Sequence, residues 1–377
     1  MNKVTVGYPC QTLLWIAVLL VALHAEAQIP IKQDSINKSG NKRTLFAFPA
    51  IIHSPELSFA FGGAGNYYFR MGHDSTVRTS FIQALGLISL RKQLVFGVES
   101  TIFFPNERYL LRTQASVSHF PDRFWGLGNT SEAANREKYT IGQYFLFPQL
   151  LRKLRNNLFL GVAYEFQNVF FFDYGNGKPA GESIFDQENV AGRNGSIVSG
   201  LGLIFLYDGR NNTFNSSSGY YFSYYINQFT PVLGSQFTFL SQSLDARKYI
   251  PVGEKYVLAF QVVGNFAHGD VPVRSLFNIG SSSMLRGYYE GRYADKNLLA
   301  AQTEFRAPII WRIGVVGFAG VGRVSHTLSQ MSFSALKESY GLGLRYSVDK
   351  KEKLNLRLDF GWGKHSNGIY FNLAEAF

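Results

Sequence analysis

The sequence is poor in cysteine and in charge. Of its 377 residues one is cysteine, Cys10, and 17% are charged, where about a quarter is usual for globular proteins. A single cysteine excludes a disulfide scaffold. The low charge, together with 46% hydrophobic residues, excludes a disordered chain and a coiled coil.

What the chain has instead is aromatic residues, with 34 Phe and 21 Tyr. So many rings must be hidden from water, which disfavours a water-soluble enzyme. The formal net charge of +11 indicates a nucleic acid or a membrane surface as partner, and the compartment decides between them.

The N-terminus predicts export. Lys3 precedes an apolar run over residues 13–23, and residues 25–27 place alanine at the two positions that a signal peptidase reads. The apolar run is about 11 residues long, well short of the roughly 20 that a membrane-spanning helix needs. We therefore predict a signal peptide over residues 1–27, whose cleavage would also remove the cysteine. A periplasmic tail is predicted over residues 28–52.

Beyond the predicted tail the sequence alternates with period two. Residues 354–362 carry leucine, phenylalanine or tryptophan at every even position and polar residues or glycine at every odd position. Residues 158–166 and 256–266 alternate in the same way. Because successive side chains of a strand point to opposite faces, this pattern predicts strands with one apolar and one polar face.

Three features favour a membrane barrel over a soluble sandwich. The predicted strands are long, and their apolar faces end in aromatic residues, as expected for the girdles at membrane interfaces. Their charges, such as Glu99, Glu165, Arg345 and Arg357, share parity with glycine and serine. A charge on the lipid face costs about 2–4 kcal/mol at the membrane midplane. We therefore predict an all-β fold, a transmembrane antiparallel β-barrel with a polar lumen.

The strand count is about fifteen, and bacterial barrels have even numbers, so we expect about 16 strands. The missing strand is expected at residues 44–52 or within 172–195, and the barrel domain is predicted over residues 53–377. The predicted strands lie near residues 56–69, 77–90, 93–104, 108–120, 139–152, 157–171, 196–208, 219–229, 236–249, 255–268, 297–308, 312–324, 339–348, 353–363 and 368–377.

A long connection between residues 270 and 297 carries a distinctive tetrad, Leu285, Arg286, Gly287 and Tyr288. A Glu-aromatic-Arg-x-Pro motif follows at residues 304–308. Together these motifs resemble the BamA/TamA-like outer-membrane assembly and translocation superfamily. The resemblance implies that the tetrad lies in a long extracellular loop that folds back into the barrel lumen.

The residues give an independent reason for this loop. An arginine that enters a barrel needs an acidic partner, because an unpaired buried cation is expensive. Glu304 shares the lumenal parity of Arg306, so we predict that Glu304 pairs with Arg286. The alternative interpretation of an isolated Arg-Gly pair is an ordinary surface turn. Gly320 stands where the family usually has a second acid, so we expect one acidic partner fewer.

The resemblance also implies a lateral seam between the first and last strands. We expect the first strand, residues 56–69, to be weakened by its glycines and to open more easily than a regular strand. A last strand that ends in phenylalanine resembles the assembly signal of outer-membrane barrels, although Glu375 departs from its apolar pattern. The predicted seam residues are Gly62, Gly63, Gly65, Ile369, Phe371 and Phe377.

The functional expectation is protein or lipid insertion or translocation at the outer membrane of a Gram-negative cell. The segment between the signal peptide and the first predicted strand is too short for a periplasmic POTRA repeat, so we expect a barrel-only member. One alternative is a passive pore or structural barrel without assembly activity. Another is a surface protein that binds a partner through loops at residues 120–138 and 172–195.

No recognisable catalytic or metal-binding pattern accompanies these motifs. The seven histidines do not fall at metal-ligand spacing, and no nucleophile elbow is present. We expect no enzyme activity, no metal and no cofactor. The expected partners are outer-membrane lipid or lipopolysaccharide and a client outer-membrane protein or accessory periplasmic subunit. Because the protein is expected to be exported, we expect no nucleic acid as the target of the basic charge.

Overall fold

The computed structural model describes residues 44–71, 77–175, 178–179, 181–349 and 353–377. The predicted signal peptide lies outside these residues, and so does the predicted tail as far as residue 43.

The described residues form sixteen barrel strands, as expected, and two short strands inside a loop. Neighbouring barrel strands are antiparallel, and the barrel closes by pairing β1 with β18. The strands are β1 Thr44–Ser54, β2 Ser58–Phe69, β3 Ser80–Ser89, β4 Leu94–Phe103, β5 Tyr109–Phe124, β6 Glu137–Arg155, β7 Leu158–Tyr174, β8 Ser196–Asp208, β9 Gly219–Phe229, β10 Phe239–Val252, β11 Tyr256–Gly269, β12 Phe277–Ile279, β13 Tyr293–Asp295, β14 Asn297–Ile310, β15 Ile313–Ser325, β16 Lys337–Asp349, β17 Leu354–Gly363 and β18 Ser366–Leu373.

Helical structure in the described residues is confined to single turns. The α-helical turn is Ile184–Gln187, and the 3-10 turns are Pro105–Glu107, Ala133–Asn135, Pro231–Leu233, Val273–Ser275 and Leu328–Gln330. None of the described helices is long and apolar enough to cross a membrane.

The alternation seen in the sequence becomes the two faces of the barrel wall. In β6, the side chains of Tyr144, Leu146 and Leu150 are exposed on the outside, whereas those of Gln143 and Gln149 are buried on the lumenal side. The aromatic and aliphatic excess therefore lies on the outer surface, and the polar side chains line the lumen.

The connections differ between the two barrel ends. Turns as short as residues 156–157 and 253–255 join strands at one end, called here the short-turn end. Connections such as residues 125–136 and 270–296 join strands at the other, called here the long-loop end. Consequently the loop with the Arg-Gly tetrad enters the lumen from the long-loop end.

The first strand corrects two expectations. It is β1, so the missing strand lies at residues 44–52, one of the two places where it was expected, and not within 172–195. The barrel therefore begins at Thr44 and not at residue 53. Pro49 lies in its middle and interrupts the sequence pattern, but proline is tolerated in a strand with one free edge. The glycines expected at the seam, Gly62, Gly63 and Gly65, lie in β2 and pair with β1 and β3 on either side.

The last strand ends earlier than predicted. β18 stops at Leu373, and Ala374 adopts a left-handed conformation with φ of 67°. The chain then turns into the lumen, where Phe377 is buried beside Tyr249 and Val257. Phe377 is therefore not part of the seam. The apolar alternation of β18 continues in the sequence as far as Phe377, but the backbone turns at Ala374, and the alternation gives no sign of this turn.

Candidate functional site

The loop between β11 and β14 lies in the lumen. Strands β12 and β13 pair as a small two-stranded sheet, and the chain between them carries the tetrad inward. The side chains of Leu285, Arg286 and Tyr288 are buried. Leu285 packs with Ile279 and Leu298 in an apolar cluster that joins the loop to the barrel wall.

Arg286 lies between two carboxylates, and all three side chains are fully buried. Its Nη2 is 2.5 Å from Oε1 of Glu304 on β14, and its Nη1 is 2.5 Å from Oδ2 of Asp359 on β17. Its guanidinium also lies 3.6 Å from the ring centre of Phe318 on β15. The planar fork of arginine suits this double contact, which lysine could not reproduce.

Sequence reasoning placed Glu304 beside Arg286 but missed Asp359. The expected loss of an acidic partner at Gly320 is therefore wrong, because a second carboxylate reaches Arg286 from another strand. A Cβ atom at position 320 would lie 2.9 Å from the Leu285 side chain, so the loop itself fills that space. The parity of Asp359 marked it as lumenal, but parity could not show which loop residue it would meet.

Further charges extend this pairing toward the short-turn end. Arg306 contacts Glu304 at 2.8 Å and donates a hydrogen bond of 2.9 Å to the backbone oxygen of Phe377. Arg345 contacts Asp359 at 2.6 Å and Glu375 at 2.7 Å. Glu375 therefore departs from the apolar pattern because it faces the lumen as an ion-pair partner.

Gly287 and Tyr288 attach the loop to the last strands. The Gly287 amide donates to the Tyr370 hydroxyl at 2.9 Å, and this hydroxyl donates to the Tyr288 backbone oxygen at 3.1 Å. The Tyr288 hydroxyl donates to the backbone oxygen of Glu338 at 2.8 Å. Gly287 has φ of 112°, a conformation that side chains rarely adopt, so glycine is required at this bend.

The seam between β1 and β18 is sparsely paired. In the described part of the chain, these strands share one paired position, His53 with Phe371. His53 Nδ1 lies 2.8 Å from the backbone oxygen of Ile369, a side-chain contact in place of ladder hydrogen bonds. Ile369 and Phe371 thus lie where β18 meets β1, and their role in a seam that opens stays a prediction. Among the residues that the structure describes, residues 44–50 of β1 pair with β2 only.

The family match covers the loop with the tetrad, its lumenal partners and β18. The model of the Omp85 superfamily domain matches residues 90–377. The chain belongs to the Omp85 superfamily. The resemblance inferred from the Arg-Gly tetrad is thereby confirmed, and this membership with the barrel fold indicates the bacterial outer membrane.

Solved structures show the same fold at low sequence identity. The chain is similar to BamA from Haemophilus ducreyi lacking POTRA domains 1–3, with 13% identity and a TM-score of 0.57, over 89% of this chain and 70% of that one. It is also similar to CdiB from Acinetobacter baumannii, with 12% identity and a TM-score of 0.55, over 88% of this chain and 65% of that one. CdiB from Escherichia coli is 11% identical with a TM-score of 0.55, over 87% of this chain and 62% of that one.

The chain therefore spans less than two thirds of either CdiB chain. A search of curated proteins found no match.

In this Omp85 barrel, two glycines of β17 make room for the loop. A Cβ atom at position 361 would lie 2.6 Å from the backbone carbonyl carbon of Arg286. A Cβ atom at position 363 would lie 2.5 Å from the Tyr288 ring. Gly361 and Gly363 thus form a cradle, on which the loop backbone lies directly against the strand.

Loss of the buried cation should release the loop. Arg286→Ala removes both ion pairs that hold the loop, whereas Glu304 and Asp359 keep Arg306 and Arg345 as partners on the wall. The change should therefore cost about 3 kcal/mol, the lower end of the range for a broken buried ion pair. We expect a lower temperature for loss of the compact band in heat-modifiability gels, and faster protease cleavage of the loop. Ser283→Ala, a change at an exposed position of the same loop that touches neither carboxylate, is the control. Unchanged melting and cleavage in Arg286→Ala would contradict this role.

Filling the cradle should displace the same loop without any change of charge. Gly361→Ala brings a methyl group against the Arg286 backbone, and overpacking of this kind costs about 1–3 kcal/mol. Protease cleavage of the loop should therefore accelerate. Gly317→Ala on β15 is the matched control, because its Cβ would meet only the Leu342 side chain, at 3.9 Å. Equal cleavage of the two variants would show that the cradle does not hold the loop.

Proposed function

We propose that this barrel inserts or translocates proteins or lipids at the outer membrane of a Gram-negative cell, through the seam between β1 and β18. The observation that carries this proposal is the free edge of β1, which pairs with β18 at a single position. Every other pair of neighbouring barrel strands shares an extended register. The wall therefore has one place at which it can part with little loss of hydrogen bonding.

A free strand edge has a defined chemistry. Unpaired backbone N–H and C=O groups are costly in lipid, where water cannot satisfy them. An extended client segment that lies along residues 44–50 would satisfy those groups by strand addition. The client is thus an outer-membrane protein strand in the act of insertion, delivered by an accessory periplasmic subunit.

The lumenal network supports this role from one side. Arg286 ties the loop to β14 and β17 through Glu304 and Asp359. The strands beside β18 are thereby braced, whereas β1 has no comparable ionic contact among the described residues. Opening would consequently move the β1 side of the seam away from a rigid wall.

The lipid partner is an anionic head group. At the short-turn end, cationic side chains lie over exposed aromatic rings of the outer surface, as in Lys248 over Tyr220 at 5.1 Å and Arg312 over Trp311 at 5.5 Å. Rings at an interface with cations beside them suit the phosphate groups of membrane phospholipids at this periplasmic end of the barrel. The absence of enzyme activity stays a prediction.

A covalent seam tests the function directly. The pair His53→Cys and Phe371→Cys joins two opposed positions of β1 and β18, and the resulting disulfide should abolish client assembly in a complementation assay until reductant is added. The pair Ile51→Cys and Phe61→Cys, opposed on β1 and β2, is the control one strand away. Normal client assembly by the oxidised seam variant would contradict the proposal that the seam opens laterally.

The alternative of a passive pore differs in conductance. A pore should give a steady, wide open state in a planar bilayer, whereas a lumen that contains a buried loop should conduct weakly and with flickering. We therefore expect low conductance from the parent protein and a larger, steadier one from Arg286→Ala, in which the loop is released. A steady wide conductance in the parent protein would favour the pore.

A further inference from the structure

The lumenal loop touches the last strand close to the seam. On β18, Tyr370 binds the Gly287 amide and the Tyr288 backbone oxygen. Ser366, at the start of the same strand, donates to the Gly287 backbone oxygen at 2.6 Å. Tyr370 is fully buried, so these hydrogen bonds form away from bulk water and losing them leaves polar groups unsatisfied.

A few residues further on, the same loop touches the other side of the seam. Glu56 lies in the turn that directly follows β1, and its Oε1 accepts the Glu290 amide at 2.6 Å. Glu56 is itself buried, and Gln93 holds its backbone oxygen at 3.1 Å. Burial raises the pKa of the Glu56 carboxyl above its usual value, although hydrogen bonds from Ser54 and the Glu290 amide oppose this shift.

From these contacts we propose that residues 287–290 form an internal staple across the seam, with Tyr370 holding it on the β18 side and Glu56 on the β1 side. The staple rests on the proposed function, since it matters only if the seam opens. It supplies the closure that the single His53–Phe371 pair lacks, from inside the barrel and not along the strand edges.

The two attachments are unequal. On the β18 side, Gly287 and Tyr288 accept or donate several hydrogen bonds, and Arg286 adds two buried ion pairs to the adjoining wall. On the β1 side, the staple has the one contact with Glu56. Tyr289 also donates to Asp122, but Asp122 lies on β5 and does not hold β1 directly. The Glu56 contact therefore breaks first, and the loop stays with β18 when the seam opens.

Hydrogen exchange at the seam tests the staple without a client protein. The full-length protein in lipid nanodiscs is exchanged into heavy water, and the amides of residues 52–54 and 370–372 are followed by mass spectrometry with fragmentation. Glu56→Ala removes one hydrogen bond and should speed exchange on both strands by about two- to tenfold. Tyr370→Phe removes two and should speed it by at least as much. Ser366→Ala provides a milder change on β18 if Tyr370→Phe fails to assemble.

The double variant distinguishes a staple from two local contacts. Because the two attachments act in series, breaking either one releases the whole tie, and Glu56→Ala with Tyr370→Phe should exchange no faster than the faster single variant. Multiplied effects, or unchanged rates in both single variants, would overturn the staple.

Matched controls lie at the same kinds of contact elsewhere. Glu188→Ala removes a carboxylate that accepts the Leu127 amide at 2.7 Å, and Tyr164→Phe removes a hydroxyl 2.9 Å from Ser199 Oγ. Neither touches the seam, so neither should change its exchange, and acceleration by both would also overturn the staple.

The seam disulfide reports separately on function: if it blocks client assembly while the staple variants exchange normally, lateral opening stands and the staple fails. If the reverse holds, the staple stands and the proposed function fails.

Discussion

The pairing of Arg286 with Glu304 and Asp359 is the interaction on which the lumen depends. Three fully buried charges are tolerable only because each has an opposite charge in contact. Removing any one leaves buried charges with fewer partners, which destabilises the fold. The requirement joins a loop to two strands of the wall that are three positions apart in the barrel. The ion pairs also fix the positions of the neighbouring loop residues. Because the loop is held at Arg286, Leu285 packs into an apolar cluster on one side, and the backbone of the tetrad lies on the glycines of β17 on the other.

The same constraint makes the barrel wall unequal around its circumference. From β14 to β18 the strands share a network of ion pairs and hydrogen bonds with the loop, whereas β1 meets its last neighbour at one position. A closed barrel normally has no free edge. Here the chain leaves β18 at Ala374 and turns inward, so the remaining length of β1 has no partner on that side within the described part of the chain. The stabilising ion pairs and hydrogen bonds thus lie in the strands beside the seam, whereas the seam itself has few.

Much of this could be predicted, and the failures have physical reasons. The parity of Glu304 and the tetrad around Arg286 were sufficient to place one ion pair. Asp359 had the correct parity, but many lumenal charges share it, and only the position of β17 relative to the loop selects one of them. Pro49 interrupts the alternation in β1, so the pattern alone left residues 44–52 as one of two candidates for the missing strand, although a strand with a free edge tolerates proline. At the other end, alternation concealed the turn that carries Phe377 into the lumen.

The location of the many aromatic residues and the few charges could be predicted from the sequence alone. Side chains alternate along a strand whatever its neighbours are, so period two assigns the rings to the lipid-facing surface and the charges to the lumen. Closure is a non-local property, because it depends on which strand edges meet and in what register. Only the tertiary structure could therefore decide that β1 begins at Thr44, that the seam has a single pair, and that the loop reaches both Glu56 and Tyr370.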